Sequence, residues 1–296
     1  MATLGTIAPD QNVFPHRAPC HKELILKALD KLPPFSPVLN RVLATLADED
    51  VSFGELAGLI ETDTVLAGNL LRIVNSPLYG HRATINSVRH GVAIIGLNRI
   101  RNLVLALTVS SKWAKTAVPR RWSHRHFNLH SLAVAVLSDL LILEFPAPYP
   151  EGAFVAGLLH DIGKLLIAMA VPDEFEKICA LCESGESTME AAEQHLLGIS
   201  HAEVSGLVLE KWNLPLPIRQ AVTSHHSPMT ADCGRLHLAH VVQIADHYVN
   251  AHNLGMPPYW LKPDAGVSFA EFGLGDIIQK VAESFQTEFA AIRGTI

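Results

Sequence analysis

Apolar residues recur along most of this chain at intervals of three and four, the period of a helix buried along one side. Thr64–Asn75 shows it plainly: Leu66, Leu70, Ile73 and Val74 share one stripe, and Ser76-Pro77 follows as a stop. The same pattern predicts helices from His21 onward, over Val38–Ala47, Ser52–Glu61, Val88–Ile95 and Leu97–Ser110. It pauses at Ala117-Val118-Pro119-Arg120. It then resumes near 124–144, 151–170, 172–184, 187–196, 201–212, 215–226, 234–252 and 268–291.

The punctuation agrees with the periodicity. Leu32-Pro-Pro-Phe-Ser-Pro37 forces a turn before the second helix. Ser52 with Glu55 three residues on has capping-box spacing. No segment alternates as a strand would, and no fixed-period repeat is visible, so the expected fold is all-α. Residues 1–19 lack any period and read as a loose arm.

Composition narrows the class. Hydrophobic residues make up 49% and charged residues 18% of the 296, enough for a sizeable core and unlike a disordered chain. The net charge of −6 hides a split of +4 over residues 1–120 and −10 over 121–296. This gives no general attraction to nucleic acid or anionic membrane. Cys179 and Cys182 have CxxC spacing, but no second pair completes a zinc ribbon, and they read as small apolar residues on one helical face. There is no basic-then-apolar leader and no uninterrupted apolar run of membrane-spanning length, so a cytoplasmic protein is expected. A helix-turn-helix is an alternative for Ile95-Gly96-Leu97-Asn98-Arg99-Ile100-Arg101, although a tight helical hairpin looks the same. Arg99 and Arg101 are expected on a solvated face.

The chemistry gathers in the histidines and aspartates. In Gly157-Leu-Leu-His-Asp-Ile-Gly-Lys164 an apolar run delivers His160 and Asp161 near a helix end, with Gly163 allowing a turn. An imidazole and a carboxylate are ligand types that Zn, Mn and Fe(II) accept. Lys164, one turn beyond His160, is placed to steady an anion. His126 and His130 are spaced to share a helical face. His201 follows a good N-cap, Ser200, and His225-His226 closes a helix. Asp246 lies in a helix apolar on most sides, where an ionised carboxylate is costly unless paired or coordinating. Each alone has a bland explanation as a cap or a satisfied core histidine. Together they predict a pocket for one or two divalent ions (Fe, Mn or Zn).

The order His130, His160-Asp161, His201, His225-His226, Asp246 resembles the metal-binding order of the HD superfamily of phosphohydrolases. More narrowly, the chain resembles the HDOD family, the HD-related output domains of bacterial signalling, over roughly residues 21–250. The likeness is carried by Leu32-Pro-Pro-Phe-Ser-Pro37, Leu66-Ala-Gly-Asn-Leu-Leu-Arg-Ile-Val-Asn-Ser-Pro-Leu-Tyr79, the His160-Asp161 segment, His201-Ala-Glu-Val and Trp212-Asn-Leu-Pro215. The resemblance implies an arm over 1–20, an N-terminal helical bundle over 21–118, an HD-like helical domain over 119–252 and a helical extension over 253–296.

By the same resemblance His130, His160, Asp161 and Asp246 form one metal site. Asp161 bridges to a second, built from His201, His225 and His226. Asp161 and Lys164 are the catalytic residues if the chain is an enzyme. Cyclic di-GMP cleavage is not implied, because Ser-Pro-Met follows His225-His226 where that branch has Gly-Tyr-Pro, and His126 stands where it has Glu. Two functions stay open: a non-catalytic regulatory module, or a metal-dependent phosphohydrolase of an unidentified phosphate ester or nucleotide. Expected partners are other signalling proteins, with a nucleotide or a second copy of the chain as further candidates, and neither membrane nor nucleic acid.

Overall fold

Side-chain caps start several helices where the sequence offers an acceptor. The computed structural model of the chain describes residues 20–32, 37–44, 53–79, 84–113, 116–144, 147–227, 236–254 and 275–294. The arm over 1–19, the Pro-rich turn at 33–36, the Ser52 cap and the start of the last expected helix at 268 lie outside the described residues. Among the described residues every regular element is helical.

Helices α1 (His21–Asp30), α2 (Pro37–Ala44), α3 (Phe53–Glu61), α4 (Thr64–Val74), α5 (Val88–Ile95) and α6 (Leu97–Lys112) come first. Asp63 caps α4 by accepting from the amides of Val65 and Leu66. Past its end, the Asn75 side chain clamps Ile85, donating to its carbonyl and accepting its N–H at 2.7 Å each. Gly96, at φ +86°, joins α5 to α6, a backbone conformation that suits glycine. Helices α2 to α6 pack on one another as a bundle, whereas α1 crosses to the other half of the molecule.

That other half contains α7 (His124–Leu141), α8 (Ala153–Leu159), α9 (Ile162–Ala170), α10 (Pro172–Ser184), α11 (Met189–Leu197), α12 (His201–Lys211), α13 (Leu216–Thr223) and α14 (Leu238–Ala251). Here α7 packs on α8 and α14, α9 on α12, and α13 on α8, α12 and α14. Contact between α6 and α8 joins the bundle to these helices, and one continuous apolar core runs through both. The last helix, α15 (Gly275–Arg293), lies along α7, burying Val281, Phe285, Phe289 and Ile292.

Two expectations are corrected. The single helix expected over 151–170 is a 3-10 turn, then α8, then α9, with a break at His160 and Asp161. Asp161, at φ −101° and ψ 9°, lies outside helical geometry. Periodicity cannot see this break because both flanks are apolar. The segment Pro150–Ala170 is long and apolar enough to cross a membrane, but 89% of its apolar window is buried inside the protein.

Arg101 is not on a solvated face, whereas Arg99 is exposed. Arg101 is 4% exposed and donates to the Glu151 carbonyl at 3.2 Å, while Arg99 pairs with Glu288 of α15 at 2.8 Å. The second helix of the 95–101 hairpin is therefore largely a core helix, with Arg101 engaged inside the protein and Arg99 paired at the surface with α15. A recognition helix needs its basic residues free for a groove.

Candidate metal centre

Two glycines let four helices, in two pairs, approach closely enough to build the pocket. A Cβ at Gly157 on α8 would stand 2.8 Å from the Ala135 Cα and 2.9 Å from the Val134 carbonyl on α7. At Gly163 on α9 it would stand 2.1 Å from the His201 carbonyl of α12. Gly163 was expected to permit a turn; its φ is not in the left-handed region, and close approach of α12 is what demands glycine. The Gly163 amide also donates to Ser205 Oγ at 2.8 Å, tying the two helices together.

This convergence brings all eight predicted residues to one buried place. Asp161, fully buried, is the hub. Its Oδ2 lies 3.3 Å from His160 Nε2 and 3.6 Å from His130 Nε2, and accepts from Lys164 Nζ at 2.6 Å. Its Oδ1 faces His201 Nε2 at 3.3 Å and His225 Nε2 at 3.8 Å. Asp246 Oδ1 is 3.0 Å from His130 Nε2 and 3.6 Å from His160 Nε2, and accepts from Asn250 at 2.9 Å. His226 Nε2 meets His201 Nε2 at 2.8 Å, and His226 is the part-exposed member. His126, expected on the same face as His130, is exposed and outside the pocket. It sits in the first turn of α7, where its backbone N–H is taken by the Ser123 cap.

The rings are held from behind. His160 Nδ1–H donates to the Gly157 carbonyl at 2.8 Å and His225 Nδ1–H to the Val222 carbonyl at 2.6 Å. A carbonyl only accepts, so each Nδ1 carries the proton and each Nε2 points inward. His201 Nδ1–H donates to Glu193 at 2.6 Å. Glu193 was missed in the sequence, although a signal exists. Met189, Ala192, Glu193, Leu196 and Leu197 form an apolar stripe at helical spacing, and Glu193 is its one acid.

The electrostatics describe a pocket whose two carboxylates stay ionised beside positive neighbours. Burial opposes ionisation of Asp161, but His160 and Lys164 outweigh it and hold its carboxyl well below the usual range. Asp246 is held low in the same sense, against burial, by His130 and His160. Burial disfavours charge on His160, yet Asp161 and Asp246 lift it to about 10. Burial pushes His130 down, and burial with neighbouring His226 pushes His225 well down, keeping both neutral.

Whether these residues fit a metal is tested by the polar atoms left over. The buried His130 Nε2, His160 Nε2, His225 Nε2 and Asp161 Oδ1 have no aligned hydrogen-bond partner. Such orphans are costly unless something else satisfies them. The donors fall into two groups within reach of one ion each: His130, His160 and Asp161, and Asp161, His201, His225 and His226. Inward Nε2 atoms with Nδ1 anchored outside are the arrangement of metal-ligating histidines. The residues fit.

A family model described as the HDOD domain matches residues 32–228. An HDOD domain protein of unknown function from Geobacter sulfurreducens is similar in structure. It has 26% identity and a TM-score of 0.75, with 92% of this chain and 97% of that one covered. A Shewanella amazonensis SB2B protein, provisionally named a phosphohydrolase, shares the fold at 22% identity and a TM-score of 0.72, covering 93% and 98%. A curated relative from Treponema pallidum (strain Nichols), named only as an uncharacterized protein, is 22% identical over 272 residues. That match covers 90% of this chain and 51% of the relative, so the chain spans about half the length of the relative it matches. With the family model matching more than half of its residues, and the fold and His/Asp cluster as described, the chain belongs to the HDOD domain family.

Proposed function

We propose that this chain is a regulatory signal-transduction module that acts by binding other signalling proteins, and that its pocket holds one or two divalent ions (Fe, Mn or Zn) without turning over a substrate. His130, His160, Asp161 and Asp246 would hold one ion, and Asp161, His201, His225 and His226 the other. A bound ion supplies Lewis acidity and, in hydrolases, an activated water. In this chain its role is to satisfy a charged, buried centre and lock the break between α8 and α9 to α7, α12 and α14.

The observation that carries the reading is the enclosure of the donors. His130, His160, Asp161, His201 and His225 are each at most 1% exposed. The broad groove of about 1060 Å³ between α1, α12, α13 and α14 is lined by none of the eight pocket residues. Lys164 is spent on the Asp161 carboxylate at 2.6 Å. A phosphate ester needs access to the ions and a cation for its own oxygens.

One feature favours the second reading, a metal-dependent phosphohydrolase. Asp161 is shared between two donor groups, the layout of two-ion hydrolysis. The test is turnover of nucleotides and phosphodiesters by the protein loaded with Mn, Fe or Zn. The regulatory reading expects no turnover above that of Asp161→Ala. Robust turnover abolished in Asp161→Ala would replace it with the hydrolase.

A further inference from the structure

The two donor groups are built unequally. Around His201, the Glu193 carboxylate is 1% exposed and accepts twice from one residue, from the ring Nδ1–H at 2.6 Å and from the backbone N–H at 2.7 Å. It therefore fixes both the ring and the first turn of α12. A capping box between Ser200 and Glu203 holds the same helix start. His225 is anchored by the Val222 carbonyl, and Asp161 Oδ1, which faces both rings, has no aligned hydrogen-bond donor.

Of the two histidines in the other group only His160 is anchored from behind, by the Gly157 carbonyl at 2.8 Å. His130 Nδ1 is buried without a hydrogen-bond partner, so no acceptor behind the ring holds the proton on Nδ1 and leaves Nε2 free for an ion. The oxygen offered to His130 and His160, Asp161 Oδ2, already carries the Lys164 ammonium at 2.6 Å. An ion arriving there meets a positive charge at contact distance.

We propose that the pocket loads its ions in order, the first and tighter one on Asp161, His201, His225 and His226, and that Glu193 is the positioning residue that makes this group the tighter. The inference rests on the metal-holding part of the proposed function and on neither its regulatory nor its catalytic version. A carboxylate behind a histidine ligand fixes its tautomer and raises the basicity of the inward nitrogen. Three imidazoles with one carboxylate suit Zn or Fe(II). The part-exposed His226 gives an ion its way in.

The experiment is titration of the metal-depleted full chain with Co(II) under anaerobic conditions, followed by visible absorption and by bound-metal analysis. Asp161→Ala supplies the background from other histidines. The expected result is two steps, the first the tighter. Glu193→Gln, which keeps an acceptor but loses the charge, weakens the first step about 10–100-fold and alters its cobalt spectrum. The second step keeps its midpoint. Glu193→Leu, which loses both acceptor and charge, weakens the first step further. Two equal steps, or a first step unmoved in Glu193→Gln, would overturn the order while leaving the metal reading intact. No binding above the Asp161→Ala background would overturn both.

Discussion

Gly163 and Asp161 are the residues on which the pocket turns, one for its size and one for its charge. A methyl at Gly163 would stand 2.1 Å from the His201 carbonyl, and that atom is backbone. Relief requires α9 and α12 to part, which moves His201 away from Asp161. Gly163→Ala is therefore expected to cost about 1–3 kcal/mol in urea unfolding and to weaken metal binding in the same protein. Asp161→Asn should also destabilise the protein without any metal, because it strands the buried Lys164 ammonium that now sits at 2.6 Å from the carboxylate. Breaking such a pair from one side costs about 3–5 kcal/mol, to be read by urea unfolding in the presence of chelator. Seven candidate metal donors and Lys164 were legible in the sequence because each is a polar residue at a helix end or on an apolar face. Glu193 was passed over because no histidine or aspartate stands beside it, and His126 was overvalued because i, i+4 spacing does not tell which turn reaches the core.

Among the elements, the junction of α6, α7 and α15 carries a part-buried charge system. Asp139 on α7 accepts from Asn102 at 3.3 Å and lies near Arg99, Arg101 and Glu288. Burial and then Glu288 raise its carboxyl from 3.8 to about 6. The folded state thus holds this proton more tightly than the unfolded chain does. The stability it contributes is fully present below pH 3.8 and is lost as pH rises through about 6. Asp139→Asn mimics the protonated form. Relative to wild type it should match near pH 3.8 and gain on the order of 3 kcal/mol above pH 6, measured as the difference in unfolding free energy across pH. The element boundaries show what periodicity can and cannot see. Pro172–Ser184 stands where the pattern put it, with Pro at its start and Gly185 in the left-handed conformation at its end. The break between α8 and α9 was hidden because apolar residues on both sides continue one pattern. The burial of Arg101 was hidden because an arginine signals a surface unless its partner, the Glu151 carbonyl, is already placed beside it.

At the scale of the whole molecule, the fold class followed from a helical period sustained over nearly the full length, and the family from motifs spread across both halves. The path of α1 was not legible, since a helix carries no mark of which half it joins. It packs on α9 and α11, where His21 Nδ1 bonds the Leu196 carbonyl at 3.1 Å. If the buried His/Asp centre holds metal through Asp161, the ions must be found there and be lost with that carboxylate. The most direct test is elemental analysis of the full chain purified anaerobically with Fe, Mn and Zn supplied, with an anomalous-scattering map of its crystals. The expected result is one or two ions per chain, with anomalous peaks among His130, His160, Asp161, His201, His225, His226 and Asp246, and none in Asp161→Ala. A metal-free centre under these conditions, or metal content unchanged in Asp161→Ala, would contradict metal binding through Asp161.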